Sequence, residues 1–134
     1  MTLYVDSSAL LKLYVEESES REAAALLGAD PDWVCGAQTT VEVRRNLARL
    51  LSGASLRDAR TRFARQWRRV RVVDLDERTC DLAAELAEET GARALDALHL
   101  GAAQRAGEGV LPLVTYDRRQ AAAARELGWT VLGG

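Results

Sequence analysis

The stretch from Leu3 to Val15, LYVDSSALLKLYV, constrains the fold more than any other part of the chain. Leu3, Tyr4 and Val5 are a short apolar run suited to a buried parallel strand. Asp6 ends it, and Ser7 or Ser8 is placed to cap a helix whose apolar stripe is Leu10, Leu11, Leu13 and Tyr14. In an open α/β sheet, ligands bind beyond the carboxyl ends of the strands. Two roles are therefore open to Asp6, a helix cap or a site carboxylate.

The same alternation continues along the chain. Residues 20–27 predict a second helix, broken by Gly28, Asp30 and Pro31, and Trp33 to Cys35 predict a second strand. Thr39 or Thr40 is placed to cap a helix through Leu51, stopped by Gly53. Ser55 with Asp58 resembles a capping box opening an arginine-rich helix. Residues 71–74 predict a third strand, and Asp76 caps a helix that ends at Gly91. A small-residue helix spans 94–106 and ends at Gly107 and Gly109. A fourth strand runs from Leu111 to Thr115, a helix spans 118–127, and a last edge strand runs from Trp129 to Leu132. Strands alternating with helices predict an α/β class, with a parallel sheet covered on both faces.

At 134 residues the chain is expected to form one domain, 1–134, able to bury its own core. No apolar run reaches membrane length and no leader is evident, so a cytoplasmic protein without a membrane partner is expected. Cys35 and Cys80 are isolated and are read as reduced core thiols. His99 is the only histidine, which excludes a paired-histidine acid and base and a multi-histidine zinc site. A lone helical histidine is read as structural.

The net charge of −2 argues against a wholly basic nucleic-acid binder, but the charge is uneven. Residues 57–71 hold seven arginines against Asp58 alone. This run is either a solvated face or a contact for RNA or a protein partner, with Arg62, Arg65 and Arg69 as the candidate contacts.

Four acids stand out by position. Asp6 and Asp117 each follow a strand, and Glu42 and Asp96 each lie in the first turn of a helix. The helix dipole alone favours acids in a first turn. In a parallel α/β layer, however, strand C-termini and helix N-termini share one edge, so all four are expected to converge there. Two like charges about 4 Å apart repel by roughly 4 kcal/mol at an effective dielectric of 20. A hard divalent cation, Mg²⁺ or Mn²⁺ in its place, relieves that repulsion and suits phosphoryl chemistry.

The segments YVDSSALLKLYVEE, TTVEV, ALDALHLGAA and VTYDRRQAAAARELG, in this order, resemble the PIN-domain ribonucleases, especially the VapC-type toxins of type II toxin–antitoxin pairs. The resemblance covers essentially the whole chain. It implies a single PIN-like domain with sheet order 3-2-1-4-5, and it matches the family's four acids to Asp6, Glu42, Asp96 and Asp117. It also matches Thr115 to a family Ser or Thr that orients water or phosphate. A homodimer and a small VapB-like antitoxin covering the acidic pocket are implied as partners. Gly101 departs from the Ala more usual at its position, with no expected effect on chemistry.

The function expected on this basis is a Mg²⁺-dependent endoribonuclease toxin that hydrolyses RNA phosphodiesters by metal-activated water. Asp6 and Asp96 are the expected metal ligands. Asp117 joins them directly or through water, and Glu42 binds through water or orients the nucleophile. The alternative within the family is a nuclease of RNA processing or structured DNA, without an antitoxin. A phosphoryl-accepting signalling domain is the distant alternative. Ser7 and Ser8 stand where it needs a second acid, and the only lysine, Lys12, lies in the first helix.

Overall fold

The computed structural model describes residues 1–134. Its elements, in chain order, are β1 (Thr2–Val5), α1 (Ser7–Leu11), α2 (Ser20–Ala29), β2 (Asp32–Gly36), α3 (Thr39–Leu50), α4 (Gly53–Trp67), β3 (Arg71–Val73), α5 (Glu77–Thr90), α6 (Ala94–Gly107), β4 (Leu113–Val114), α7 (Arg118–Glu126) and β5 (Val131–Leu132). The five strands form one parallel sheet in the order β3-β2-β1-β4-β5. The expected class, sheet order and two-sided covering are all present.

Side chains alternate across the sheet with the period of two that a strand imposes. Leu3, Val5, Trp33 and Cys35 enter one core with Leu10, Val43, Leu47 and Phe63, from the side of α1, α3 and α4. Tyr4, Val34 and Leu113 enter the other with Leu100, Ala103 and Ala124, from α6 and α7. β1 is covered on both faces, and Leu3, Tyr4 and Val5 have no exposed surface. That continuous burial is why its sequence is an unbroken apolar run rather than an alternating one.

Several boundaries differ from the sequence reading. Asp6, not Ser7 or Ser8, caps α1 by accepting from the Ala9 amide. Neither Thr39 nor Thr40 caps α3, whose N-cap is Gln38 without a side-chain cap bond. Gly53 does not stop α3. It opens α4 with a φ of +56°, two residues before the anticipated capping box, and the Ser55 hydroxyl donates to the Ser52 carbonyl instead. The cap at Asp76 and the left-handed stop at Gly91 are as expected, with Asp76 accepting from Thr79 N. Cys35 is in the core, and burial pushes its thiol pKa up. Cys80 is not a core thiol, for it is exposed on α5.

Helix α6 is seated on the sheet and packs closely against α5. A Cβ at Gly101 would lie 2.8 Å from the backbone nitrogen of Ala83 and 2.9 Å from its Cα. The approach is to backbone, which cannot swing aside. Overpacking costs about 1–3 kcal/mol, and the gain in helix propensity from Gly to Ala returns up to about 1 kcal/mol. Gly101→Ala is therefore expected to lower unfolding stability by about 1–2 kcal/mol in a urea titration. A neutral or stabilising effect would show that the two helices are free to move apart.

Candidate active site

Each acid is placed by the end of an element. β1 and β4 are neighbours, with Val5 in register with Val114, so Asp6 and Thr115 emerge side by side. Asp6 is 3% exposed. Its Oδ1 accepts from Ser8 Oγ at 2.6 Å and from Ala9 N at 3.2 Å, and its Oδ2 accepts from Thr115 Oγ1 at 2.5 Å. Both hydroxyls are themselves fixed, since Ser8 Oγ accepts from Tyr116 N and Thr115 Oγ1 accepts from Asp117 N. Burial pushes the Asp6 carboxyl above the usual carboxylate range, although the charge of His99 and these donors pull against it.

Asp117 is exposed and caps α7, its Oδ1 accepting from Arg119 N at 2.8 Å and Gln120 N at 3.1 Å. Asp96 is half-buried in the first turn of α6. Its main-chain carbonyl accepts from Gln120 Nε2, while its carboxylate takes part in no hydrogen bond or ion pair. Burial raises the Asp96 pKa, and the charges of Asp117, Asp6 and Glu42 raise it further against the opposing charge of His99. The four acids thus share one electrostatic neighbourhood at the edge expected for them.

The sequence reading missed how Glu42 is held. His99 Nε2 lies 2.7 Å from Glu42 Oε1, and His99 Nδ1 lies 2.8 Å from the Tyr4 hydroxyl. The hydroxyl in turn accepts from Gly36 N at 2.9 Å. The Tyr4 and His99 rings meet edge to face, 5.9 Å between centroids. Burial lowers the His99 pKa, but the Glu42 hydrogen bond and the charges of Asp6, Glu42 and Asp96 together hold it above its ordinary value. His99 is therefore part of the acidic site rather than only of the core. One sequence signal pointed to it: Asp96 and His99 are three apart on one helix and share a face.

Thr115 also has a more specific place than expected. Its one proton goes to Asp6, so it acts on the site through that carboxylate. Of the three candidate arginines, none contacts the acids. Arg62 is committed locally, donating to the Leu13 carbonyl at 3.0 Å and lying over the Tyr14 ring. Arg65 and Arg69 are exposed on and just beyond α4. Other arginines border the site instead. A cleft of about 820 Å³ beside Asp96 is lined by Arg93, Arg119 and Arg125, and another of about 550 Å³ beside Thr115 and Asp117 shares Arg125.

As the side chains stand, no three or more His, Cys, Asp or Glu groups are gathered closely enough to hold a metal ion. The donor chemistry nevertheless fits a hard divalent cation, because the groups facing one another are carboxylates and that of Asp96 is unpaired.

A family model for the PIN domain matches residues 3–126. The chain belongs to the PIN-domain family. Within it, the chain is 40% identical over 130 residues to Ribonuclease VapC46 of Mycobacterium tuberculosis, covering 97% of this chain and 95% of that one. It is 32% identical to Ribonuclease VapC47 of the same species, over 95% of this chain and 93% of that one. Among solved structures, FitAcB from Neisseria gonorrhoeae superposes on this PIN domain with a TM-score of 0.77 at 21% identity, covering 99% and 97% of the two chains. A toxin–antitoxin complex from Klebsiella pneumoniae gives 0.74 at 19% identity, covering 98% and 96%. At those identities the structures speak to the shared fold. The VapC relatives place this PIN domain among the VapC proteins.

Proposed function

We propose that this PIN domain is a Mg²⁺-dependent endoribonuclease and the toxin of a type II toxin–antitoxin pair. The observation that carries the reading is the gathering of Asp6, Glu42, Asp96 and Asp117 at one sheet edge, in a chain 40% identical to Ribonuclease VapC46. The toxin–antitoxin complex among its structural neighbours supports a small antitoxin as partner, and the ribonuclease relatives support RNA as substrate. No helix is long and apolar enough to cross a membrane.

In this reading Asp6, Asp96 and Asp117 hold the cation. When bound, Mg²⁺ or Mn²⁺ supplies neutralisation of the phosphate and activation of water for in-line attack. Ser8 and Thr115 keep Asp6 in one orientation by donating to its two oxygens. Glu42 orients the nucleophile. The arginines of the flanking clefts receive the RNA backbone on either side of the scissile phosphate. Arg65 and Arg69 offer a separate basic surface for RNA or antitoxin, with Arg62 bracing the helix beneath them. Attack by water breaks the P–O3′ bond and leaves 5′-phosphate and 3′-hydroxyl ends. The alternative route through the ribose 2′-hydroxyl favours a pair of acid–base groups such as two histidines, and this chain has one, already bound between Tyr4 and Glu42.

The test is cleavage of RNA by purified protein free of its antitoxin, with the new ends mapped. Cleavage is expected with Mg²⁺ or Mn²⁺, to stop with EDTA, and to return when the metal is restored. Full cleavage in chelator, or 2′,3′-cyclic phosphate ends, would overturn the metal-dependent mechanism.

A further inference from the structure

Glu42 is tied through the lone histidine to a chain of buried groups. Gly36 N donates to the Tyr4 hydroxyl at 2.9 Å, the hydroxyl meets His99 Nδ1 at 2.8 Å, and His99 Nε2 meets Glu42 Oε1 at 2.7 Å. Tyr4 has no exposed surface and His99 is 2% exposed. The polarity of the chain follows from counting protons. The Gly36 amide can only donate, so the Tyr4 oxygen accepts from it. The Tyr4 proton then needs an acceptor, and His99 Nδ1 is the one within reach. With Nδ1 accepting, Nε2 carries the ring proton and donates to Glu42. That polarity belongs to the neutral ring; a charged ring still donates from Nε2 to Glu42, but its Nδ1 then carries a proton too and no longer accepts from Tyr4.

We propose that His99 is the positioning residue of Glu42, a role that rests on the nuclease function proposed above: the backbone of β2 fixes Tyr4, Tyr4 fixes the His99 ring, and the ring holds Glu42 Oε1 and leaves Oε2 to the reaction. The four groups belong to β2, β1, α6 and α3, so the chain ties the orientation of one carboxylate to the elements that carry Asp6 and Asp96. A histidine serving only the core needs its buried nitrogens satisfied, which Tyr4 and the Gln38 amide, 3.3 Å from Nδ1, already provide at one end. The other end is aimed at a partly exposed acid, whose side chain is 19% exposed at the site edge.

Two substitutions separate these roles. Gln is able to carry an amide nitrogen to the place of Nε2, whereas Asn reaches only as far as Nδ1. His99→Asn is expected to lower kcat for RNA about 10- to 100-fold, the usual loss when a partner orienting a site ligand is removed, with KM unchanged. His99→Gln is expected to recover most of that loss, although both variants remove the ring from its contact with Tyr4. In a Glu42→Ala background, His99→Asn should cost nothing further, because the two residues act as one unit. A second readout is independent of activity. His99 is the only histidine, so its ring nitrogens give a single set of NMR signals, and the neutral ring of the metal-free protein is expected to carry its proton on Nε2. A neutral ring protonated on Nδ1 instead of Nε2, equal losses for Asn and Gln, or an undiminished loss in the Glu42→Ala background would each overturn the positioning role. A wild type that cuts no RNA under any metal condition would instead overturn the nuclease reading and the role that rests on it.

Discussion

Asp6→Asn is expected to abolish RNA cleavage, by at least about 10²-fold, while leaving the fold at neutral pH within about 1 kcal/mol of the wild type. The two effects have different sources. Cleavage falls because Asp6 is the acid that the structure fixes most completely, with donors on both oxygens and almost no exposure. Stability holds because Asn keeps the shape and one carbonyl acceptor for the cap. The lost acceptor is offset by removal of a buried charge that burial itself penalises. The pH dependence carries the sign of that penalty. The Asp6 pKa is raised in the folded state, so the folded protein holds its proton to higher pH than the unfolded chain. The charged carboxyl then costs stability in full above the folded value, and the cost fades as pH falls toward the unfolded value. The advantage of Asn over wild type should therefore be largest at neutral pH and shrink on acidification. Asp6→Ala is the contrast. It removes the cap, worth about 0.5–2 kcal/mol, and strands the Ser8 and Thr115 hydroxyls, so it should lose activity and melt lower. Retained cleavage in Asp6→Asn would remove Asp6 from the chemistry and leave it as a helix cap.

Asp96→Asn is expected to lose cleavage to a similar degree, about 10²-fold or more, but to separate metal-free from metal-bound stability. Without metal, two opposing terms nearly cancel. The acid in the first turn of α6 contributes about 0.3–1 kcal/mol through the helix dipole. Burial and the charges of Asp117, Asp6 and Glu42 act against it, as its raised pKa shows. Asp96 is only half-buried, so solvent screens the repulsion and the net change should stay below about 1 kcal/mol. Adding Mg²⁺ breaks the balance. A ligand that binds only the folded state stabilises it by about 2.7 kcal/mol at a hundred times its Kd. The wild type should gain that increment and the variant much less of it. Four melting curves, wild type and variant with and without Mg²⁺, make the comparison. A variant that is strongly destabilised without metal would mark Asp96 as a structural helix acid. Equal Mg²⁺ responses would remove it from the metal site.

Much of the fold was legible because it is local. The apolar run Leu3–Val5, the cap at Asp76 and the stop at Gly91 act through neighbours a few residues away, and each is present where the sequence placed it. The alternation of strands and helices, read with the family resemblance, led to the sheet order. It also brought the four acids to one edge, since a parallel layer puts strand C-termini and helix N-termini together. What escaped the sequence depends on contacts between distant residues. Thr115 meets Asp6 across 109 positions, His99 meets Tyr4 across 95, and His99 meets Glu42 across 57. No local period encodes such pairs, so only the packed fold shows that Thr115 spends its proton on Asp6 and that the lone histidine belongs to the site. The same holds for Gly101, whose missing Cβ matters only because α5 lies against it. The sequence by itself determined which residue types stand at the ends of which elements. The tertiary structure decided which of those groups share hydrogen bonds, because burial penalises a polar group left without a partner and sheet register determines which partner is within reach.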